Sequence, residues 1–279
     1  MGMWRTRLRR VPGVARLGHE FLQANRVGYA RVRRFRSPTG GVAVTPDEAM
    51  AADAGGSEIG AMFFEHQGRQ IHKWTHYFEA YEEHFGPYRN GLPQPDGSRR
   101  PVRILEIGVA DGGSLQLWRR YFGPDAGVWG IDVDPACAMI DEPDVQIRIG
   151  SQDDPHFLEG VVSEMGGVDI VLDDGSHIAN HQRRSFEVLF PLLSEGGLYA
   201  VEDLHTSYWS GYKGGYRRRG TFIEVVKDVI DDMHFWHHGH PMKRLTDARS
   251  GVSQLCLYDS IVFLHKAPLR RPMDVKVGH

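Results

Sequence analysis

Cysteine is scarce in this 279-residue chain, which has only Cys137 and Cys256, far apart and without metal-ligand spacing. That excludes a disulfide framework and fits a reducing cytoplasm. Long apolar runs are also lacking. None approaches the ~20 residues of a membrane span, and no apolar stretch follows the basic N-terminus as in a signal peptide. There are no internal repeats and no heptads. No G-x-G-x-x-G turn occurs, so a dinucleotide pyrophosphate is not specifically called for.

Negative charge is sparse at one end. Residues 1–36 hold ten arginines against one glutamate, a net of +9, whereas the whole chain carries −3. The remainder is therefore acidic, and no specific nucleic-acid partner is expected for it. The tail (Arg5, Arg7, Arg9, Arg10, then Arg31, Arg33, Arg34 and Arg36) suits weak contact with an anionic membrane surface, with nucleic acid or with the acidic body of a neighbouring subunit. A solvated, partly disordered extension explains the same composition. Residues 37–60, rich in Gly, Ala, Ser, Thr and Pro, read as a linker. The expected division is a basic extension and linker over 1–60 and a folded domain over 61–279.

A helical pattern begins near Glu65, with Ile71, Trp74, Phe78 and Tyr81 at 3–4 spacing. The stretch GPYRNGLPQPDGSRR then breaks regular structure. From Pro101 apolar strands alternate with helices: VRILEI, GSLQLWRRYF, GVWGID, VQIRI, DPHFLEGVVSEM, VDIVLDD, NHQRRSFEVLFPLL, GGLYAVEDL and TFIEVVKDVIDDMHFW. The runs SQLCLYD and SIVFLHKA follow in quick succession and predict a closing antiparallel pair. Strands apolar throughout are covered on both faces. The expected fold is α/β, a doubly wound, mostly parallel Rossmann-like sheet with an antiparallel last strand and a helical N-terminal extension. Ligands in such sheets sit beyond the carboxyl ends of the strands.

The strand ends carry the chemistry. The first runs into EIGVADGGS, where Glu106, Gly108 and Ser114 flank a glycine turn that lets a ligand approach the backbone. A plain βα turn has the same appearance. Asp132 ends the second strand, about 20 residues on, in the geometry that grips ribose hydroxyls. Gln152 and Asp153, after the third, can meet an adenine edge, although Asp153 or Asp154 equally suits a helix cap. Together these describe an adenosine-type cofactor. LEIGVADGGSLQLW resembles the first motif of the class I S-adenosylmethionine-dependent methyltransferases, with Ala110 where a second glycine is usual. HKWTHYFEAYEEHFGPYR, LDDGSH and VEDLHTSYW narrow the resemblance to the metal-dependent sugar O-methyltransferases of macrolide and related pathways, over about residues 65–265.

The fourth strand delivers Asp173 and Asp174, and the fifth Glu202 and Asp203. Four carboxylates converging with no lysine or arginine among them call for a hard cation such as Mg²⁺. The resemblance implies Asp174, Glu202 and Asp203 as ligands, with Asp173 on the cofactor side or packed structurally. His177 is the candidate general base, since an imidazole titrates near neutrality. His205, Tyr208 and Trp209 are candidate acceptor contacts, His205 also suiting a supporting role, and His181 is expected to be structural. The expected activity is methyl transfer from S-adenosylmethionine to a sugar hydroxyl of a small-molecule glycoside, glycolipid or polysaccharide, in the cytoplasm and as a homo-oligomer. Two alternatives stand beside it. One is an iron oxygenase like the cephalosporin hydroxylases, using His177, His205 and a carboxylate. The other is a non-catalytic methyltransferase-like scaffold.

Overall fold

The computed structural model describes residues 56–237, 251–268 and 270–278. They lie in the second of two units, Gly56–His279. The basic tail of residues 1–36 and most of the expected linker fall outside the described residues. The chain from Glu58 is already helical: α1 spans Glu58–Phe64, with the Ser57 hydroxyl accepting from the Gly60 amide at 3.0 Å. A serine cap followed by an acidic first turn satisfies and complements the free amides of a helix start. The end of the expected linker is thus a helix.

The expected helix over 71–81 is half correct. Residues 65–74 run without regular structure over the ends of the strands, and α2 spans only Phe78–Phe85. Ile71 and Trp74 still pack against the apolar core, so their spacing reported burial, not helix. The turn-rich stretch after α2 closes a small hairpin, β1 (Leu92–Pro93) with β2 (Arg99–Arg100).

The remaining elements follow the expected alternation. They are β3 (Arg103–Ile107), α3 (Gly113–Phe122), β4 (Gly127–Asp132), β5 (Val145–Ile149), α4 (Pro155–Met165), β6 (Val168–Asp173), α5 (Ala179–Leu192), β7 (Leu193–Val201), α6 (Phe222–Met233), β8 (Val252–Tyr258) and β9 (Ile261–Lys266). Seven strands form one sheet in the order β5-β4-β3-β6-β7-β9-β8. All neighbours are parallel except β9, which is antiparallel to both β7 and β8.

Side chains alternate between two cores, one on each face. Ile104, Ile170, Leu172 and Phe263 enter one, and Leu105, Val171, Val262 and Leu264 the other. Every residue of β6 is buried. Burial of this kind stabilises by about 1.5–3 kcal/mol per large aliphatic side chain. Strand order reverses between β3 and β6, so their carboxyl ends flank the crevice where such sheets bind ligands. Among the described residues, no helix is long and apolar enough to cross a membrane.

Candidate active site

The loops after β3, β6 and β7 share a strained backbone. Ala110, His177 and Asp203 all have positive φ, at 47°, 56° and 54°. This left-handed conformation costs about 1–2 kcal/mol in a non-glycine residue and clusters at functional sites. Glycine is required at Gly108 (φ 96°), because a Cβ there would collide with the Asp174 carbonyl. The β3 and β6 turns are therefore packed backbone to backbone.

His177 lies two residues ahead of α5, not at its start, and its ring faces the tips of β6 and β7. Nε2 stands 3.8 Å from Asp174 Oδ1 and 3.5 Å from Asp203 Oδ2. Its Nδ1 is buried without a hydrogen-bond partner. Asp203 Oδ1 accepts from Trp74 Nε1 at 2.9 Å and Tyr77 OH at 3.0 Å, which leaves Oδ2 turned to the histidine. Asp174, His177 and Asp203 each present a ligand atom within 4.8 Å of the others. Hard oxygen donors with partly exposed side chains, 22% for each aspartate, suit a divalent ion that keeps some of its water.

The expectation of carboxylates without a basic partner is overturned. The Lys73 side chain is 2% exposed, and its ammonium lies between three carboxylates. It bonds Asp174 Oδ2, reaches Glu202 Oε1 at 2.8 Å and stands 3.7 Å from Glu106 Oε1. Burial draws the lysine pKa down, but the three anions outweigh it and hold it well above the usual lysine value. Glu202 is withdrawn from the open group around His177. It is 2% exposed and also accepts from Tyr81 OH. Burial and Asp174 raise its pKa against the pull of Lys73. Lys73 stands in the quoted HKWTHY stretch, but its 129-residue separation from Glu202 gives no local signal.

The residues expected at the cofactor divide into two groups. Glu106 is fully buried, and burial raises its pKa; Oε2 accepts from Ser114 Oγ at 2.7 Å, while Oε1 has no hydrogen-bond partner. Asp173 is likewise enclosed, accepting from Ser185 and from Gln152 Nε2 at 3.0 Å, and burial raises it too. Gln152 Oε1 accepts from the Ser176 amide at 2.8 Å, so both ends of this amide bind the protein and neither faces the crevice. These three residues support the loops from beneath. Asp132 and Asp153 remain at the open tips. Asp132 Oδ2 accepts from the amides of Val109 and Ala110 at 2.9 and 3.1 Å, and Oδ1 from Asp134 at 2.9 Å. One lone pair of Oδ1 is left for a further donor such as a ribose hydroxyl. Asp154 caps α4, so Asp153 does not.

His205 lies outside the group around His177. Its Nδ1 bonds Ser260 Oγ, and burial lowers its pKa. A two-histidine, one-carboxylate triad is therefore not formed among the described residues. Aromatic rings continue around the opening: His205 to Trp209 at 4.6 Å, Trp209 to Tyr212 at 5.9 Å and Tyr212 to His177 at 6.4 Å. Tyr208 points outward, 48% exposed. Tyr212, not Tyr208, is the tyrosine beside the histidine. His181 bonds Ser176 Oγ at 2.9 Å, in line with a structural role.

No protein-family model matches the chain. It is 37% identical over 195 residues to 8-demethyl-8-(2-methoxy-alpha-L-rhamnosyl)-tetracenomycin-C 3'-O-methyltransferase of Streptomyces olivaceus, covering 66% of this chain and 47% of that protein. To mycinamicin VI 2''-O-methyltransferase of Micromonospora griseorubida it is 33% identical over 221 residues, covering 75% and 52%. The MycE methyltransferase of the mycinamycin biosynthetic pathway, solved in complex with Mg and SAH, superposes with a TM-score of 0.64 at 32% identity, covering 76% of this chain and 54% of that one. The chain spans about half the length of the curated relatives it matches. Over that shared part it has the Rossmann-like methyltransferase fold and resembles the class I, metal-dependent sugar O-methyltransferases, which are its homologues.

Proposed function

We propose that this protein is an S-adenosylmethionine- and Mg²⁺-dependent O-methyltransferase acting on a sugar hydroxyl of a glycosylated natural product, glycolipid or polysaccharide. The observation that carries the reading is the meeting of Asp174, His177 and Asp203 at the tips of β6 and β7, beside the β3 turn held by Asp132. The homologues named above act on sugar hydroxyls, and one is solved with Mg and SAH.

Asp174 and Asp203 would hold the ion, with Glu202 behind them. Such an ion supplies Lewis acidity that lowers the pKa of a coordinated hydroxyl. Asp132 and the open turn at Ala110 and Asp111 would face the donor, with Asp153 at the rim. His177 Nε2 would take the acceptor proton as the oxygen–carbon bond forms and the sulfur–carbon bond breaks. Trp209 and Tyr212 offer apolar faces on which a sugar or its aglycone can rest, which limits water and fixes orientation. A cytoplasmic setting agrees with the two free cysteines. A homo-oligomer agrees with the exposure of Met273, Val275 and Val277 in the irregular segment after β9.

The test is methyl transfer from labelled S-adenosylmethionine to a panel of glycosides, with and without EDTA. Transfer is expected with Mg²⁺ and is expected to be lost in EDTA. Undiminished transfer in EDTA overturns the metal assignment, and no transfer to any glycoside overturns the acceptor class.

A further inference from the structure

We propose that Lys73 is an internal counter-ion that holds the place of a divalent cation between Asp174 and Glu202, and that Glu106 is the partner to which its ammonium turns when an ion arrives. The proposal rests on the metal reading above and adds residues that the reading does not use.

Three observations carry it. First, the Lys73 ammonium lies where an ion bridging Asp174 and Glu202 would lie, bonded to Asp174 Oδ2 and 2.8 Å from Glu202 Oε1. Second, both the lysine and Glu202 are 98% enclosed, so neither charge can be compensated by water. Third, Glu106 Oε1 is buried, accepts no close hydrogen bond and stands 3.7 Å from the same ammonium, while the Trp118 side chain interacts with the carboxylate only weakly. A buried acceptor left unbonded is uncommon and costs free energy unless it is used in another state. A shift of about 1 Å would bring the ammonium into hydrogen-bond range of Glu106 and away from Glu202. Asp174 Oδ1 and Asp203 Oδ2 already face the open side, so an ion entering there meets two carboxylates at once and gains Glu202 as the ammonium withdraws.

The sequence position of Lys73 supports this role. It sits in the irregular stretch between α1 and α2, whose backbone passes directly over the β3 turn. A Cβ on Gly113 would collide with the carbonyls of Arg69 and Gln70. The stretch is thus held against the strand tips by packing, while the long lysine side chain keeps rotatable bonds for a small displacement.

The experiment uses the full chain and two readouts, thermal unfolding in EDTA and Mg²⁺ binding by titration calorimetry. The parent is expected to gain less in melting temperature from Mg²⁺ than Lys73→Met does, because in the parent the ion must displace Lys73. Lys73→Met leaves Asp174 and Glu202 facing each other uncompensated. It should lower the melting temperature in EDTA by ~5–10 °C, regain most of that with Mg²⁺, and bind Mg²⁺ ~10-fold more tightly than the parent. Should Lys73→Met fail to fold, Lys73→Met/Glu202→Gln removes the stranded charge and is expected to fold in EDTA. Glu106→Gln takes away the receiving charge and should weaken Mg²⁺ binding ~10-fold. Parent-like melting in EDTA together with parent-like Mg²⁺ affinity in Lys73→Met overturns the proposal and leaves the metal reading standing. Absence of Mg²⁺ binding in parent and variant alike overturns both.

Discussion

His177 Nε2 stands 3.5 Å from Asp203 Oδ2, across two loops that each hold a non-glycine residue at positive φ. Neither conformation is favourable by itself, and the two side chains meet only because both loops adopt it. His177→Asn keeps a residue that tolerates this backbone but removes the proton acceptor at Nε2. Turnover is expected to fall ~10²–10⁴-fold, the range for a positioned general base. Donor binding should stay unchanged by calorimetry. Partial recovery at high pH, where hydroxide substitutes for the base, separates this role from a loss of fold. A variant as fast as the parent in single-turnover methyl transfer would show that the histidine is structural.

Asp174→Asn should lose most Mg²⁺-dependent turnover while retaining S-adenosylmethionine binding, since Asp174 belongs to the β6 tip and not to the turn held by Asp132. Parallel calorimetry with donor and with Mg²⁺ checks this. Loss of donor binding in Asp174→Asn would show that donor and metal share one site.

Asp132→Ala removes the acceptor of two turn amides and the one remaining lone pair for a ribose hydroxyl. Charge-assisted hydrogen bonds contribute about 1.5–3 kcal/mol each, so donor affinity is expected to fall by about one to two decades. Unchanged affinity would show that this strand end does not bind the donor.

Asp169, at the opposite end of β6, tests stability without touching the site. Its buried carboxylate accepts from Arg100 at 2.6 and 2.7 Å, from the Arg103 amide at 2.9 Å and from Ser194 at 2.6 Å. Burial alone would raise its pKa, but the guanidinium and hydroxyl donors outweigh it and bring it down to about 2. A folded-state pKa below the unfolded value contributes stability above the unfolded pKa and loses it as pH falls through the folded one. The contribution should therefore be complete above pH ~5 and fade between pH ~4 and ~2. Asp169→Asn is expected to lower stability by about 2 kcal/mol at pH 7 in urea unfolding, with the gap to the parent closing near pH 2. A pH-independent gap would assign the loss to packing.

The alternation of apolar strands and helices from Pro101 onward was legible because it is local. The strands of the sheet are short and bounded by turns, the central ones apolar on both faces, and the closing pair β8 and β9 announced itself by two apolar runs with no room for a helix between them. The positions of the carboxylates at the β6 and β7 tips and of His177 were legible for the same reason, since each is set by its distance from the end of a strand. Four things were decided by tertiary structure. The 65–74 stretch lies over the strand tips instead of forming a helix; it brings Lys73 into the carboxylates across 129 residues from Glu202; Glu106, Gln152 and Asp173 turn inward to support the loops; and Tyr212 replaces Tyr208 beside the histidine. Periodicity reports which face of a segment is buried, not which distant segment covers it. A buried lysine looks like any other lysine in a sequence, because its charge is compensated by groups that only the order of strands in the sheet brings to it.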